Sequence, residues 1–195
     1  MKKTNMIPIS IMVIGFISLI GCSGDMLTAP GVENENQTVS QQRGIPTDQL
    51  NLVPLRPEIA EQLRVLGKKA YSLKLIQAHK GGTVGGAKTF ENKVDIPSNA
   101  LDENTWISVE VECIKSNEQC GAIVEFLPSM YFLADVTITL SFDVLDFDGD
   151  PNLLKVLWYD DTTGLWVEVD DPIINYDDKT VSIQVDHFTR YAWSL

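Results

Sequence analysis

The chain has 195 residues, of which 44% are apolar and 22% charged, and its formal net charge is −12. This composition is typical of one packed domain with extensions and argues against disorder throughout the chain. Because nucleic-acid affinity comes largely from lysine and arginine, the acidic excess disfavours a nucleic-acid partner.

The first 21 residues have the pattern of a secretory signal peptide. Lys2 and Lys3 precede an apolar run over residues 9–20, interrupted only by small residues. That run is shorter than the roughly 20 residues that a membrane-spanning helix needs. We therefore predict that residues 1–21 are a signal peptide, with a spanning helix as the alternative.

Leu19-Ile20-Gly21-Cys22 stands where the apolar run ends, and it resembles the lipobox of bacterial lipoproteins. The resemblance implies cleavage before Cys22 and attachment of lipid to its sulfur, which makes the membrane a predicted partner. Enterobacterial lipoproteins kept in the inner membrane carry Asp where this chain has Ser23, so we expect a cell-envelope protein of the outer membrane. A signal peptide with an incidental cysteine is the alternative.

The next segment, residues 22–56, is rich in Asn, Gln, Thr, Ser, Gly and Pro and shows no persistent period. Such a composition buries too little apolar surface to offset the entropy of ordering, which predicts a lipid-anchored disordered tether. A short helix and linker are predicted over residues 57–70. Its apolar residues at helical spacing are Ile59, Leu63 and Leu66.

From about Tyr71 onward, apolar and polar residues alternate, as in antiparallel strands with one face on a core. The clearest alternating runs are 107–113, 136–144 and 181–185. Turn-forming residues at 160–164 and 177–178 separate the later strands. We therefore predict an all-β fold, an antiparallel β-sandwich over residues 71–195.

Cys113 and Cys120 flank residues 114–119, which we predict to be the end of a hairpin. Export permits disulfides, and Cys22 is already assigned to lipid, so these two thiols are the pair that remains. Closing so short a loop contributes roughly 2–3 kcal/mol in the chain-entropy model. Two separate free thiols are the alternative, and a zinc site is disfavoured because both histidines are distant in sequence.

Three motifs carry a family resemblance: Gly81-Gly82-Thr83-Val84, Ile96-Pro97-Ser98-Asn99-Ala100-Leu101 and His187-Phe188-Thr189. Together they resemble the ZU-five domain, named for zonula occludens proteins and netrin receptors. Ser98-Asn99 departs from the Gly-containing pair that is usual in the family. The resemblance covers roughly residues 71–195 and implies a β-sandwich used mostly for protein contacts.

In some relatives of that family, a His-Phe-Ser site cuts its own chain. The resemblance therefore implies an alternative in which His187 is the general base and the Thr189 hydroxyl attacks the Phe188 carbonyl. The structural interpretation of the same motif is that Phe188 packs in the core while His187 forms a hydrogen bond near a strand end.

Four aspartates lie close together at Asp143, Asp146, Asp148 and Asp150. Calcium binds several oxygen ligands, so a calcium-dependent adhesion module is a further alternative, although the spacing is not that of an EF-hand. The other interpretation is a solvated turn.

Most aromatic side chains of a sandwich fill its core, but Trp166 shares a strand face with Glu168 and is a candidate for exposure. No Ser-His-Asp set, paired-carboxylate motif or cofactor fingerprint is present in the sequence. We therefore expect no enzyme and no cofactor. The expected function is a lipid-anchored envelope protein whose sandwich binds or scaffolds a protein or glycan.

Overall fold

The computed structural model describes residues 44–116 and 119–195. The predicted signal peptide, Cys22 and residues 22–43 of the predicted tether lie outside the described residues. Within the described part, no helix is long and apolar enough to cross a membrane.

The described residues contain one α-helix, α1 (Pro57–Val65), and eleven strands. The strands are β1 (Lys69–Ile76), β2 (Gly82–Gly86), β3 (Asn92–Ile96), β4 (Thr105–Ser116), β5 (Gln119–Leu127), β6 (Tyr131–Ser141), β7 (Lys155–Asp160), β8 (Leu165–Glu168), β9 (Ile173–Asn175), β10 (Thr180–His187) and β11 (Arg190–Ser194). The β7–β8 and β9–β10 turns contain the residues predicted to form turns.

The strands form two antiparallel sheets packed face to face, which confirms the predicted all-β sandwich. One sheet has six strands in the order β1-β4-β5-β11-β7-β8, and the other has five in the order β2-β3-β6-β10-β9. The chain crosses between the sheets several times, so neighbouring strands are often distant in sequence.

Alternation places one face of each central strand in the core. In β6, Val136, Ile138 and Leu140 are almost fully buried between the sheets, as predicted from their spacing. The facing sheet contributes Val109 and Val111 of β4 in the same way. Burial of these aliphatic side chains, at about 25 cal/mol per Å² of apolar surface, holds the two sheets together.

The helix predicted after Pro57 is present as α1, with Pro57 in its first turn, where a missing amide hydrogen costs nothing. Leu63 is completely buried and belongs to the main core. Gly67 and Lys68 follow the helix with positive φ angles, and the Lys68 amide donates to the Leu63 carbonyl. This left-handed ending turns the chain into β1.

Residues 44–55, which we call the strap, differ from the prediction of a disordered tether. Ile45 and Trp166 exchange two backbone hydrogen bonds of 2.7 and 2.9 Å, from the start of the strap to β8. Further along, the Val53 amide donates to the Trp193 carbonyl and the Leu55 amide to the Cys120 carbonyl. The predicted tether is therefore wrong over residues 44–56, where the chain lies along the sandwich.

The strap packs on two different surfaces, and this explains why its sequence shows no regular period. Ile45, Leu50 and Leu52 cover an apolar cluster on the outer face of the six-stranded sheet. That cluster comprises Ile123, Leu157, Trp166 and Ala192. Val53 and Leu55 then enter the main core. A segment that changes surface halfway cannot show one period of 2 or 3.6.

The predicted disulfide joins Cys113 to Cys120, with their Cα atoms 5.4 Å apart. In the β4–β5 hairpin, Cys113 is opposite Ala122 and Cys120 is opposite Lys115, so the bond runs diagonally across the two strands. The prediction of a cross-hairpin disulfide is confirmed.

Candidate binding cleft

His187 lies at the end of β10, where an irregularity in register after Val185 brings it opposite Tyr131. Its ring centroid is 5.3 Å from that of Tyr131 and 5.7 Å from that of Trp158. Its Nδ1 atom lies 2.7 Å from Asp186 Oδ1. His187 is thus held among aromatic rings and by one carboxylate.

The hydrogen bond with His187 lowers the pKa of Asp186, although partial burial opposes the shift. A lowered pKa means that the folded protein favours the carboxylate form. Asp186 therefore carries its negative charge throughout the neutral pH range.

A cleft of about 530 Å³ opens beside this pair, with walls from both sheets. The five-stranded sheet contributes β10 and Asp135 of β6, and the six-stranded sheet contributes Trp158 of β7, Glu168 of β8 and Tyr191 of β11. The cleft is thus lined by residues of both sheets. Such a position brings together side chains that are far apart along the chain.

Tyr191 forms the inner part of this cleft. Its side chain is only 2% exposed, and its ring packs edge-on against Phe126. Within the described residues, no hydrogen bond involves its hydroxyl, and no side-chain oxygen there is both fully enclosed and without a partner. The hydroxyl is therefore the part of Tyr191 that reaches the cleft. Burial and, secondarily, the charge of Asp186 raise the pKa of Tyr191, so the phenol stays protonated.

The charge of the lining is one-sided. Asp135, Glu168, Asp170 and Asp186 line the cleft, and the described lining contains no lysine or arginine. Glu168 is paired with Lys155 at 2.9 Å. The cleft is thus acidic, with aromatic surface from Trp158 beside the carboxylates.

A second recess of about 290 Å³ shares Trp158 and His187 with the cleft. Tyr131 and Asp161 line it, and Asp161 is 3.5 Å from Arg190. The rings of Trp158 and His187 thus border both recesses.

Phe188 and Thr189, the other members of the predicted self-cleavage motif, are buried. The centroid of the Phe188 ring lies 4.6 Å from that of Phe132 and 5.6 Å from that of Phe126. The Thr189 hydroxyl donates to the Tyr159 carbonyl at 2.5 Å. The structure therefore gives the hydroxyl a structural partner on β7, and Phe188 a place in the core.

Of the four aspartates considered for calcium, two have separate partners and two are exposed. Asp143 lies 2.7 Å from Lys179 Nζ and 3.2 Å from Arg56 Nη2. Asp150 accepts hydrogen bonds from the backbone and side-chain nitrogens of Asn152. Asp146 and Asp148 are exposed. Over residues 44–116 and 119–195, no three His, Cys, Asp or Glu side chains converge as a metal site.

Two of the motifs behind the ZU-five resemblance meet in space. Gly81 has a φ of +66°, and a Cβ atom there would collide with the Ile96 carbonyl and with Pro97. Only glycine permits both this conformation and this approach. Asn99 in the same turn also has a positive φ, and its amide donates to the Ala78 carbonyl. These two motifs thus form one packed corner of the sandwich, and none of their residues lines the cleft.

Sequence reasoning identified His187 but missed Asp135, Trp158 and Tyr191 as its neighbours in a cleft. Each looks like an ordinary strand residue in the sequence, and no motif links them. The one available signal was the irregular end of the alternation in β10, near His187, since such irregularities often occur beside functional sites.

A scan against protein-family models finds none that matches the chain, and a search of curated proteins finds no match either. The resemblance to the ZU-five domain stays a prediction from its three motifs. A functional proposal is therefore based on the lipobox and on the geometry of the cleft.

Proposed function

We propose that the chain is a lipid-anchored protein of the cell envelope, of the outer membrane, whose β-sandwich binds a protein or glycan without catalysis. The observation that carries the binding part is the cleft between the sheets. Its walls bring aromatic surface from Trp158 together with carboxylates and the Tyr191 hydroxyl.

A cleft of this kind suits recognition. Binding sites are concave, combine apolar and aromatic surface with a few placed polar groups, and are largely formed before the ligand arrives. Here β-strands hold most of the lining, and only Val169 and Asp170 follow the end of β8, so the geometry costs little further ordering when a ligand binds. Thr189 and Phe188 are engaged in packing, and this arrangement favours binding over self-cleavage as the role of the region.

The strap reduces the distance that the proposed tether can span between the membrane and the sandwich. With residues 44–56 packed on the domain, the proposed tether is shortened to residues 22–43. Fully extended, residues 23–43 reach at most about 75 Å. A tether of that length allows the cleft to face partners beyond the lipid headgroups while the chain stays attached through Cys22.

The anchor is tested by the intact mass of the protein extracted from its native membrane. We expect a chain that begins at lipidated Cys22, ends at Leu195 and is two hydrogens lighter than the reduced form. Cys22→Ser should abolish the lipid mass. An unlipidated wild-type chain would contradict the anchor, and a chain that ends at Phe188 would establish self-cleavage instead.

The binding part is tested by NMR with the full chain and a panel of probes: basic, acidic and neutral tetrapeptides, and neutral and acidic oligosaccharides. At least one class should cause saturable shifts of backbone signals from β10 and β7. Asp135→Arg, which places a long side chain in the cleft, should remove those shifts. The matched control is Asp148→Arg, in an exposed loop outside the cleft. Shifts confined to other surfaces, or none with any probe, would refute binding at this cleft.

A further inference from the structure

We propose that the cleft binds a cationic side chain of a protein partner, an ammonium or guanidinium group held between Trp158 and the carboxylates of Asp135 and Asp186. This inference rests on the proposed function, because it names the ligand class for the same cleft.

The charge of the lining favours a cationic ligand. Four carboxylates line the cleft, and the described lining has no basic side chain other than His187. The whole chain carries a formal charge of −12, so its long-range field attracts cations and repels anions. A walled recess lined by one sign of charge concentrates that field at its mouth. An acidic ligand would meet repulsion at every step of entry.

The hydroxyl of Tyr191 favours a ligand that has N–H groups. Tyr191 as a residue is only 2% exposed, but no described side-chain oxygen is both fully enclosed and without a partner, so its hydroxyl reaches the cleft. A ligand that forms a hydrogen bond with this hydroxyl gains the modest net contribution of one such bond. The Tyr191 oxygen is placed to accept a hydrogen bond from a ligand N–H group, beside the charge of Asp186.

The balance of hydrogen-bond donors and acceptors in the cleft also favours a cation. Carboxylates accept hydrogen bonds and donate none, so the ideal ligand offers donors alone. An ammonium has three N–H donors and a guanidinium five, and neither has an acceptor. A neutral sugar hydroxyl would instead bring acceptors towards four carboxylates. Trp158 also lines the cleft, and aromatic rings attract cations.

Most polar groups that line the cleft accept hydrogen bonds. One N–H of the Gln184 amide donates to the Thr137 hydroxyl at 2.7 Å and is therefore turned to the protein. One oxygen of Asp186 accepts from His187, and Asp135 and Asp186 both line the cleft. Because carboxylates only accept, the lining is richer in acceptors than in donors.

The test titrates the full chain, in non-ionic detergent, with acetylated and amidated tetralysine and, as a neutral match, with tetraglutamine. We expect saturable one-to-one binding of tetralysine that weakens as salt rises from 0.05 to 0.5 M, about a threefold change in Debye length. Asp135→Asn and Asp186→Asn should each weaken it by about fivefold or more, and Tyr191→Phe by a similar factor. Asp135→Glu, which keeps the carboxylate, should bind tetralysine about as well as the wild type does. Asp148→Asn should change the affinity less than about twofold. Thermal unfolding of each variant verifies that it is folded.

Equal affinity for tetralysine and tetraglutamine would overturn the inference, as would an Asp148→Asn effect equal to that of Asp135→Asn. If instead a neutral oligosaccharide binds and Asp135→Arg blocks it, the cation inference fails while the proposed function stands. If no probe reaches the cleft, both fail.

Discussion

Trp166 and Trp106 both point outward from the six-stranded sheet, near its opposite edges, yet their surroundings differ completely. Trp166 of β8 is 1% exposed, whereas Trp106 of β4 is 59% exposed. Trp166 was a candidate for exposure beside the expectation of a buried ring, and the structure shows that it is buried. Alternation correctly assigned it to the outer face, but an outer face is solvated only where no other segment covers it.

The strap is the cause of this difference. Ile45, Leu50 and Leu52 lie over the side of the sheet that contains Trp166, and the Trp166 Nε1 atom donates to the Thr47 hydroxyl at 3.2 Å. At the other edge, no segment within residues 44–116 and 119–195 covers the outer face of β1 and β4. Its exposed apolar side chains are Tyr71, Leu73, Leu75 and Trp106. One sheet thus has a covered half, which contributes to stability, and an open half.

The largest effect on stability should come from the replacement of Trp166 by alanine. Trp166→Ala should lower the free energy of unfolding by about 3–5 kcal/mol, because it removes a large buried ring and leaves a cavity under the strap. Trp106→Ala, the matched control, should change it by less than about 1 kcal/mol. Urea unfolding of the full chain measures both. Equal losses would show that the strap does not distinguish the two halves.

Gly121→Ala tests how closely the strap approaches β5. A Cβ atom there would lie 2.7 Å from the Leu52 Cβ atom, so the strap must shift. We expect a loss of about 1–3 kcal/mol, the usual cost of overpacking. Combined with Leu52→Gly, the loss should be smaller than the sum of the two single losses. Strict additivity would argue against a direct contact between these residues.

Thr47→Ala removes the hydrogen-bond acceptor of the Trp166 indole without changing the ring. The expected loss is about 0.5–1.5 kcal/mol, typical of one hydrogen bond. Thermal unfolding and the exposure of Trp166 to a fluorescence quencher measure the effect. A variant in which Trp166 stays protected and stability is unchanged would show that apolar contacts alone hold the strap.

The smallest effect concerns Asp143, which pairs with Lys179 and with Arg56 just beyond the strap. The hydrogen bond from Lys179 lowers the pKa of Asp143. The stabilisation is therefore present above the unfolded value of about 3.9 and is lost as pH falls through the lowered folded value. Because Asp143 is half exposed, Asp143→Asn should cost less than about 1 kcal/mol at pH 7.

At acidic pH, Asp143→Asn should leave the free energy of unfolding almost unchanged. Urea unfolding at pH 7 and at pH 2.5 compares the two conditions for Asp143→Asn and the wild type. A difference between the proteins that grows as pH falls would contradict the assigned sign.

The fold was largely predictable because its signals are local. Val136, Ile138 and Leu140 alternate with polar residues over a whole strand, and Cys113 and Cys120 belong to one hairpin, so each prediction needed only a short window. The helix α1 followed from Pro57 and from apolar residues such as Leu63 at helical spacing.

The cleft was not predictable, because its walls come from strands that meet only after both sheets form. Asp135, Trp158 and Tyr191 belong to three strands, and no spacing along the chain relates them. His187 was noticed for a sequence motif, whereas the structure places it among aromatic rings beside the cleft.

By itself, the sequence determined the alternation of faces in residues 107–113, 136–144 and 181–185, the hairpin disulfide and the short helix, because each depends on neighbours along the chain. Only the tertiary structure decided that the strap covers Trp166, that Trp106 stays exposed and that Tyr191 presents its hydroxyl to an acidic cleft. These outcomes depend on which distant segments share a surface, and a linear pattern does not contain that information.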